Sequence, residues 1–305
     1  MDKSNKYSKN ISIITLCCLC IISLYPAKIG IAQINYFSVD KEFLTPISLN
    51  SYQNKKIPQL FQNPSSLSQN KHKQALLMIH KKSLAYNHVH SAFLWPLKTL
   101  NIGMTLSHFG TNSLINTPTP TPFEKPQPTG TFSHQLNTVE FSLCSAQWNV
   151  NPSLKITYLH QRLESDHASG MNIDLGTQSW INKHIWIGAY TRHLTKTTLY
   201  WKTSPTVEEK KPDIIIESGI KLNTQNIRIS LNKEWLRISN SWQHKNISIQ
   251  PDILYQHNTT RIKRLGLGFS LSLQQLDILY HYLYYPDSTT LKKEEIQLGI
   301  MWSWT

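Results

Sequence analysis

The sequence predicts an all-β protein, an antiparallel transmembrane β-barrel of about fourteen strands. Three observations carry the prediction. Apolar and polar side chains alternate with a two-residue period, the alternating segments run about ten residues, and their connections sort by length. Leu100, Ile102, Met104 and Leu106 alternate with Asn101, Gly103, Thr105 and Ser107. The same period recurs in Val139-Phe141-Leu143, Met171-Ile173-Leu175, Ile214-Ile216-Ile220 and Ile227-Ile229-Leu231. Towards the end it runs through Leu265-Leu267-Phe269-Leu271, Leu276-Ile278-Tyr280-Tyr282 and Ile296-Leu298-Ile300-Trp302-Trp304. Such alternation marks strands with one apolar and one polar face, and helical spacing is almost absent.

The chain opens on a targeting segment. Lys3, Lys6 and Lys9 precede an apolar run from Ile11 to Leu24, and Gly30-Ile31-Ala32 supplies small residues for cleavage. That order is a secretory signal peptide over 1–32, with the mature chain beginning near Gln33. The run is short for a membrane anchor, and Leu16, Cys17 and Leu19 stand where a lipoprotein signal needs a small residue. Residues 33–72 form an N-terminal segment, periplasmic or plugging the lumen, and 73–305 the barrel.

Strands are predicted at 73–80, 85–95, 98–108, 135–147, 153–163, 168–180, 184–194, 212–222, 225–233, 236–243, 247–257, 263–273, 275–285 and 293–304. Their length suits a tilted strand crossing a bilayer. Connections after even strands are short, such as Pro96-Leu97, Asn223-Thr224 and Gln274, whereas 109–134, 195–211 and 286–292 all follow odd strands. Short turns on one rim and long loops on the other are how outer-membrane barrels are built. Trp95, Trp148, Trp180, Trp201, Trp242, Tyr285, Trp302 and Trp304 lie near strand ends, as interfacial girdles require. The competing β-sandwich would have shorter strands and loops unsorted by length. The loop 110–133 holds Thr117-Pro118-Thr119-Pro120-Thr121-Pro122, where missing N–H donors forbid a strand. An extended arm on the outer rim is expected there, forming a partner-binding surface with 195–211.

Composition narrows the function. The 305 residues hold 31 Lys+Arg against 18 Asp+Glu, and only 16% are charged while 10% are aromatic, which excludes a disordered polyelectrolyte. Residues 1–32 contain four Lys and one Asp, so the remainder keeps +10 of the formal +13. The basic residues are scattered, no RNA- or DNA-binding motif accompanies them, and an exported chain meets no genome; nucleic acid is not a partner. The charge suits outer-membrane lipid headgroups. Cys17, Cys18 and Cys20 crowd the targeting segment, leaving Cys144 as a packing residue rather than part of a disulfide framework.

Several short motifs together resemble the PorQ/PorV-type outer-membrane barrel family, most closely its PorQ branch. Phe61-Gln62-Asn63-Pro64-Ser65-Ser66-Leu67 is similar to the family's opening NPA-x-L signature, and His108-Phe109-Gly110 to a strand ending near Y/F-G. Thr129-Gly130-Thr131-Phe132-Ser133 followed by Glu140 resembles a TGTF-S stretch. Gly170-Met171-Asn172-Ile173-Asp174-Leu175-Gly176, Arg264-Leu265-Gly266-Leu267-Gly268 and Leu276-Asp277-Ile278-Leu279-Tyr280 resemble later strands. The resemblance implies a FadL-like fourteen-stranded barrel and a non-enzymatic component of type IX secretion and surface attachment. PorZ-, PorU- and PorV-like proteins are the implied partners.

No motif for catalysis appears, and no catalytic residue, cofactor or metal is expected. His88 and His90 share one strand face but have no third ligand nearby, so they read as lumen lining. Glu208-Glu209 beside Lys210-Lys211 reads as a solvated loop. With the apolar face towards lipid, alternation turns Glu140, Asp174, Glu217, Arg228 and Asp277 inward, with Lys155. A charge facing hydrocarbon costs about 2–4 kcal/mol for a basic residue, so these side chains are expected to brace the lumen. Two functions fit: the secretion scaffold, or a FadL-like channel for a hydrophobic small molecule.

Overall fold

A computed structural model describes residues 63–304 apart from 82–86, 117–129, 146–149, 164–165, 196, 203–206, 258, 260 and 287–293. The targeting segment and the Thr-Pro arm therefore lie outside the described residues. All described residues belong to one compact unit, Val39–Thr305.

Alternating side chains drive the architecture. One face of each strand must leave water and the other must find polar company, and closing the sheet on itself satisfies both. After a 3-10 turn, Pro64–Gln69, the strands are β1 (Lys73–Lys81), β2 (Asn87–Pro96), β3 (Leu100–Asn116), β4 (Gly130–Ser145), β5 (Val150–Leu163), β6 (Asp166–Trp180) and β7 (Ile185–Arg192). A hairpin, β8 (Thr197–Trp201) and β9 (Val207–Lys210), follows. The wall resumes with β10 (Asp213–Lys221), β11 (Gln225–Leu231), β12 (Trp235–His244), β13 (Ile247–Gln256), β14 (Arg261–Leu273), β15 (Leu276–Tyr284) and β16 (Glu294–Trp304). Neighbours pair antiparallel, β7 meets β10 directly, and β1 closes on β16 with Lys73 opposite Trp304. Fourteen of the sixteen strands thus form a closed barrel, and β8–β9 stands outside the ring order.

The polarity is inverted relative to a soluble protein. Ile79, Phe93, Met171, Ile214, Leu298 and Ile300 are among the most exposed residues, at 50% or more, while Lys155, Asp174, Glu217, Arg228 and Asp252 are 2–4% exposed. An apolar exterior around a polar interior is stable only where hydrocarbon is the outer solvent. No described helix is long and apolar enough to cross a membrane; the strands do the crossing.

Two expectations change. Residues 195–211 are not all loop: they contain β8 and β9, so Glu208 and Glu209 lie in a strand. β3 and β4 also reach well beyond 98–108 and 135–147 on their loop side, pairing as far as Asn116 opposite Gly130. Outside the bilayer, strands need no apolar outer face, so alternation stops before pairing does.

Candidate functional site

The lumenal face of the wall carries ion pairs between neighbouring strands. Register sets the first: Glu140 and Lys155 sit two residues out of register on β4 and β5, and Lys155 lies directly opposite Asp174 on β6. Lys155 Nζ is 3.2 Å from Asp174 Oδ2 and 3.9 Å from Glu140 Oε1, and Thr105 donates to Glu140 at 2.9 Å. Two strands further round the ring, on β10, Glu217 accepts from Arg228 and from Ser230 Oγ at 3.1 Å. Next, Asp252 accepts from Arg237 Nε at 2.6 Å with Arg264 at 3.6 Å. Gly266, opposite Asp252, makes this possible: a Cβ there would lie 2.6 Å from Asp252 Oδ1 and 2.9 Å from His281 Nε2. Asp277 is 2% exposed near the start of β15. Glu140, Asp174, Glu217, Arg228 and Asp277 all point inward, and the first four sit in two separate clusters.

The 3-10 turn packs inside the barrel at the end with the short turns. Asn63 caps the 3-10 turn: its Oδ1 accepts the Ser65 N–H at 3.0 Å, and Pro64 occupies the first position, where no N–H is needed. The other half of the amide, Nδ2, donates to Glu217 Oε2 at 3.1 Å. Asn63 fits because its neighbours lack side chains; a Cβ on Gly176 would lie 2.8 Å from its Oδ1, and one on Gly188 3.3 Å from its Nδ2. Asn101 Nδ2 donates to the Leu67 and Asn70 carbonyls, and the Cys144 thiol to Ser65 O at 3.4 Å. Leu67, fully buried, packs with Leu76, Met78, Ala92, Leu94, Leu279 and Met301. Cys144 belongs to that cluster, as a packing residue would.

The long-loop end is different. Leu159, Ala168 and Leu199 form a buried apolar cluster with Leu136 and Trp201 against it. Gly170 lets β8 approach, since a Cβ there would lie 2.5 Å from the Thr198 carbonyl oxygen. Directly below, the regular ladder stops while hydrogen bonding continues. β6 pairs with β7 only from Gly176–Tyr190 to Trp180–Trp186. Above that, threonine hydroxyls replace the ladder. Leu175 N–H donates to Thr191 Oγ1 (3.0 Å), Ile173 N–H to Thr195 Oγ1 (3.1 Å), and Leu194 N–H to Ile173 O (3.0 Å). His193 turns the chain away at φ 54°, and its N–H donates to Asp174 Oδ1 at 2.8 Å. Met171 and Ile214 are exposed on the outer face beside this hydroxyl-bridged seam between β6 and β7.

The histidines and aromatics are sorted by face. His80, His88 and His90 are inward: His88 and His90 hydrogen-bond at 3.1 Å, His90 bonds Ser107 at 2.7 Å, and His80 bonds Glu295 at 3.0 Å. Among the described residues no three potential ligands converge on a metal position. His108 and His160 face outward. Trp95, Trp242 and Trp302 are exposed on the outer surface, as girdle residues should be. Trp201 and Tyr285 are not girdle residues: Trp201 packs at the mouth, and the buried Tyr285 hydroxyl donates to Glu295 at 2.9 Å. Burial, reinforced by the Glu295 carboxylate, pushes that phenol up, so it remains a donor. Proximity to a strand end does not say which face an aromatic takes.

A closed antiparallel barrel of fourteen strands, apolar outside and polar inside, is an outer-membrane barrel. Solved structures agree. The Pseudomonas putida toluene transporter TodX superposes with a TM-score of 0.59 at 8% identity, over 80% of this chain and 92% of that one. The CymD monoaromatic hydrocarbon channel gives 0.56 at 9% identity over 82% and 93%, and a Pseudomonas aeruginosa FadL homologue 0.54 at 9% over 84% and 94%. No protein-family model and no curated protein matches the sequence. At these identities the likeness is one of fold: the barrel is FadL-like, and its apolar exterior and polar interior place it in the outer membrane.

Proposed function

We propose that the protein passes a small hydrophobic molecule from the cell exterior into the outer membrane through the β6–β7 seam. The observation that carries this reading is the seam itself, an interruption of the wall ladder between the apolar mouth cluster and the lipid-facing side chains of β6 and β10. The lumen below the mouth is lined by buried ion pairs, so an apolar solute gains nothing by continuing downward. Sideways exit into hydrocarbon is the favourable route. The fold shared with a toluene transporter and a monoaromatic hydrocarbon channel supports the same class of cargo.

The test is a reversible clamp. Cysteines at Ile173 and Thr195, whose backbone and side chain already bond, would staple the seam. Uptake of radiolabelled toluene by cells expressing the oxidised double variant should fall about tenfold and recover on reduction. Unchanged uptake in the oxidised variant overturns the route.

A second reading is the secretion scaffold, with PorZ-, PorU- or PorV-like partners. It is supported by the motif resemblance and by β3–β6, which rise beyond the apolar band and offer a surface outside it. Co-purification of such partners with a tagged chain, alongside normal uptake behaviour in the clamped variant, favours the scaffold over the channel.

A further inference from the structure

The outer face of β3–β6 changes character along one line. Leu106, Val139, Tyr158 and Met171 are successive register partners and form an apolar row facing lipid. Two residues further along each strand, about 7 Å at the rise of a β-strand, the outward row becomes His108, Asn137, His160 and Ser169. Its members are knit together: His108 bonds Asn137 at 2.7 Å, His160 bonds Ser169 at 3.1 Å, and the Tyr158 hydroxyl reaches up to Ser169 at 3.2 Å. A tyrosine with its ring among apolar side chains and its hydroxyl in a polar row marks the membrane–water boundary.

Above this boundary, among the described residues, basic side chains outnumber the neighbouring carboxylate Asp166, which accepts the His167 N–H at 2.8 Å. Arg162 is exposed opposite His167, and the rings of His160 and His167 lie 5.9 Å apart. β8 extends the patch sideways. Tyr200, 67% exposed, stands opposite Ser169, and exposed Lys202 donates its N–H to the His167 carbonyl at 2.9 Å. Two permanent cations therefore flank two imidazoles on the lipid-facing side, at the level of headgroups rather than in free solution.

We infer that Arg162, Lys202, His160 and His167 bind the phosphate of an anionic glycolipid in the outer leaflet. A guanidinium and an ammonium supply charge-assisted donors to phosphate oxygens, and imidazole N–H groups complete the shell. The acyl chains of the same lipid would lie along Met171 and Tyr158 directly below. Position distinguishes this from a general basic surface: the donors sit immediately above an apolar row, so one molecule meets both. The inference does not depend on what the barrel transports.

The protein purified in a neutral detergent tests it, with retention of heat-modifiable gel mobility as the readout. Diphosphorylated lipid A, the same lipid after enzymatic dephosphorylation, and inorganic phosphate are titrated separately. The phosphorylated lipid should raise the transition temperature, and its half-saturating concentration should rise about tenfold in Arg162→Gln/Lys202→Gln. The charge-preserving Arg162→Lys/Lys202→Arg variant should bind as the original does and controls for folding. Dephosphorylated lipid acting equally well would reduce the effect to acyl packing, and inorganic phosphate reproducing it would make this a free-anion site; either result overturns the inference, as does an unchanged titration in the glutamine variant.

Discussion

The wall formed by β3–β6 and the wall formed by β7, β10 and β11 belong to one sheet but differ nearly twofold in height. The first has strands of 17, 16, 14 and 15 residues; the second has strands of 8, 9 and 7. Crossing a bilayer takes about 9–11 residues, so the short wall has nothing to spare while the tall wall continues outside. What the tall wall does with the excess is visible on both faces. Inside, Leu159 and Ala168 receive Leu199 of the hairpin; outside, the apolar surface yields to His108, Asn137 and His160. Both walls brace the lumen; on the short wall Glu217 holds Arg228, Ser230 and Asn63 of the 3-10 turn together. Length beyond the bilayer builds a mouth, and length within it builds a brace.

That contrast can be broken at its strongest point first. Glu217→Ala should leave Arg228 buried without its carboxylate, costing about 3–5 kcal/mol, and heat-modifiable mobility should be lost at lower temperature. Lys155→Ala on the tall wall should destabilise comparably. Only Glu217→Ala should also free the turn, so that a cysteine replacing Ser66 reacts with a maleimide added from the short-turn side. Equal labelling in both backgrounds would dissociate turn and brace.

Depth on the tall wall's outer face comes next. Phe141→Arg, well inside the apolar band, should cost about 2–4 kcal/mol in refolding titrations into vesicles, whereas His108→Lys should cost about 0–1 kcal/mol. Similar values at both positions would erase the boundary drawn between Leu106 and His108.

The hairpin's seat is a smaller effect. Gly170→Ala places a methyl against the Thr198 carbonyl, so β8 must move, at about 1–3 kcal/mol; limited proteolysis between β8 and β9 should accelerate. The smallest change is Thr191→Val, which removes both hydroxyl bonds to Leu175 at the seam for about 1 kcal/mol. Hydrogen exchange should quicken at Leu175 and not at Thr177, which the β6–β7 ladder still holds.

Alternation made most of this barrel legible in the sequence, because every ring strand had to solve the same two-sided solvent problem. Ile227-Ile229-Leu231 marks β11 despite its seven residues. The reading fails where that pressure is lifted. Beyond Gly110, β3 has left the hydrocarbon, so nothing requires an apolar outer face, and its continuation to Asn116 is silent in the pattern. β8 pairs with β6 at only Ala168 and Ser169, too brief a contact to impose a period. Within the lumen, parity assigned Glu217 and Arg228 to the inside but not to each other, and Asn63 lies 154 residues from its carboxylate partner. Face is local information; partnership across the barrel is not. The seam was equally hidden, since Thr191 and Thr195 look like ordinary strand and loop residues until their hydroxyls are seen replacing a ladder.

The closing contact between β1 and β16 has a consequence in time. Lys73 meets Trp304, and all nine ring pairs between these strands join the two ends of the described chain. Until the last strand is synthesised and placed, β1 carries a row of unpaired donors and acceptors, as does whichever strand is then at the growing edge. Contacts of such sequence separation form slowly, because loop closure is spent before pairing returns anything. The barrel therefore passes through a long-lived open sheet with two sticky edges, and its yield will depend on how well those edges are kept from other chains during that interval.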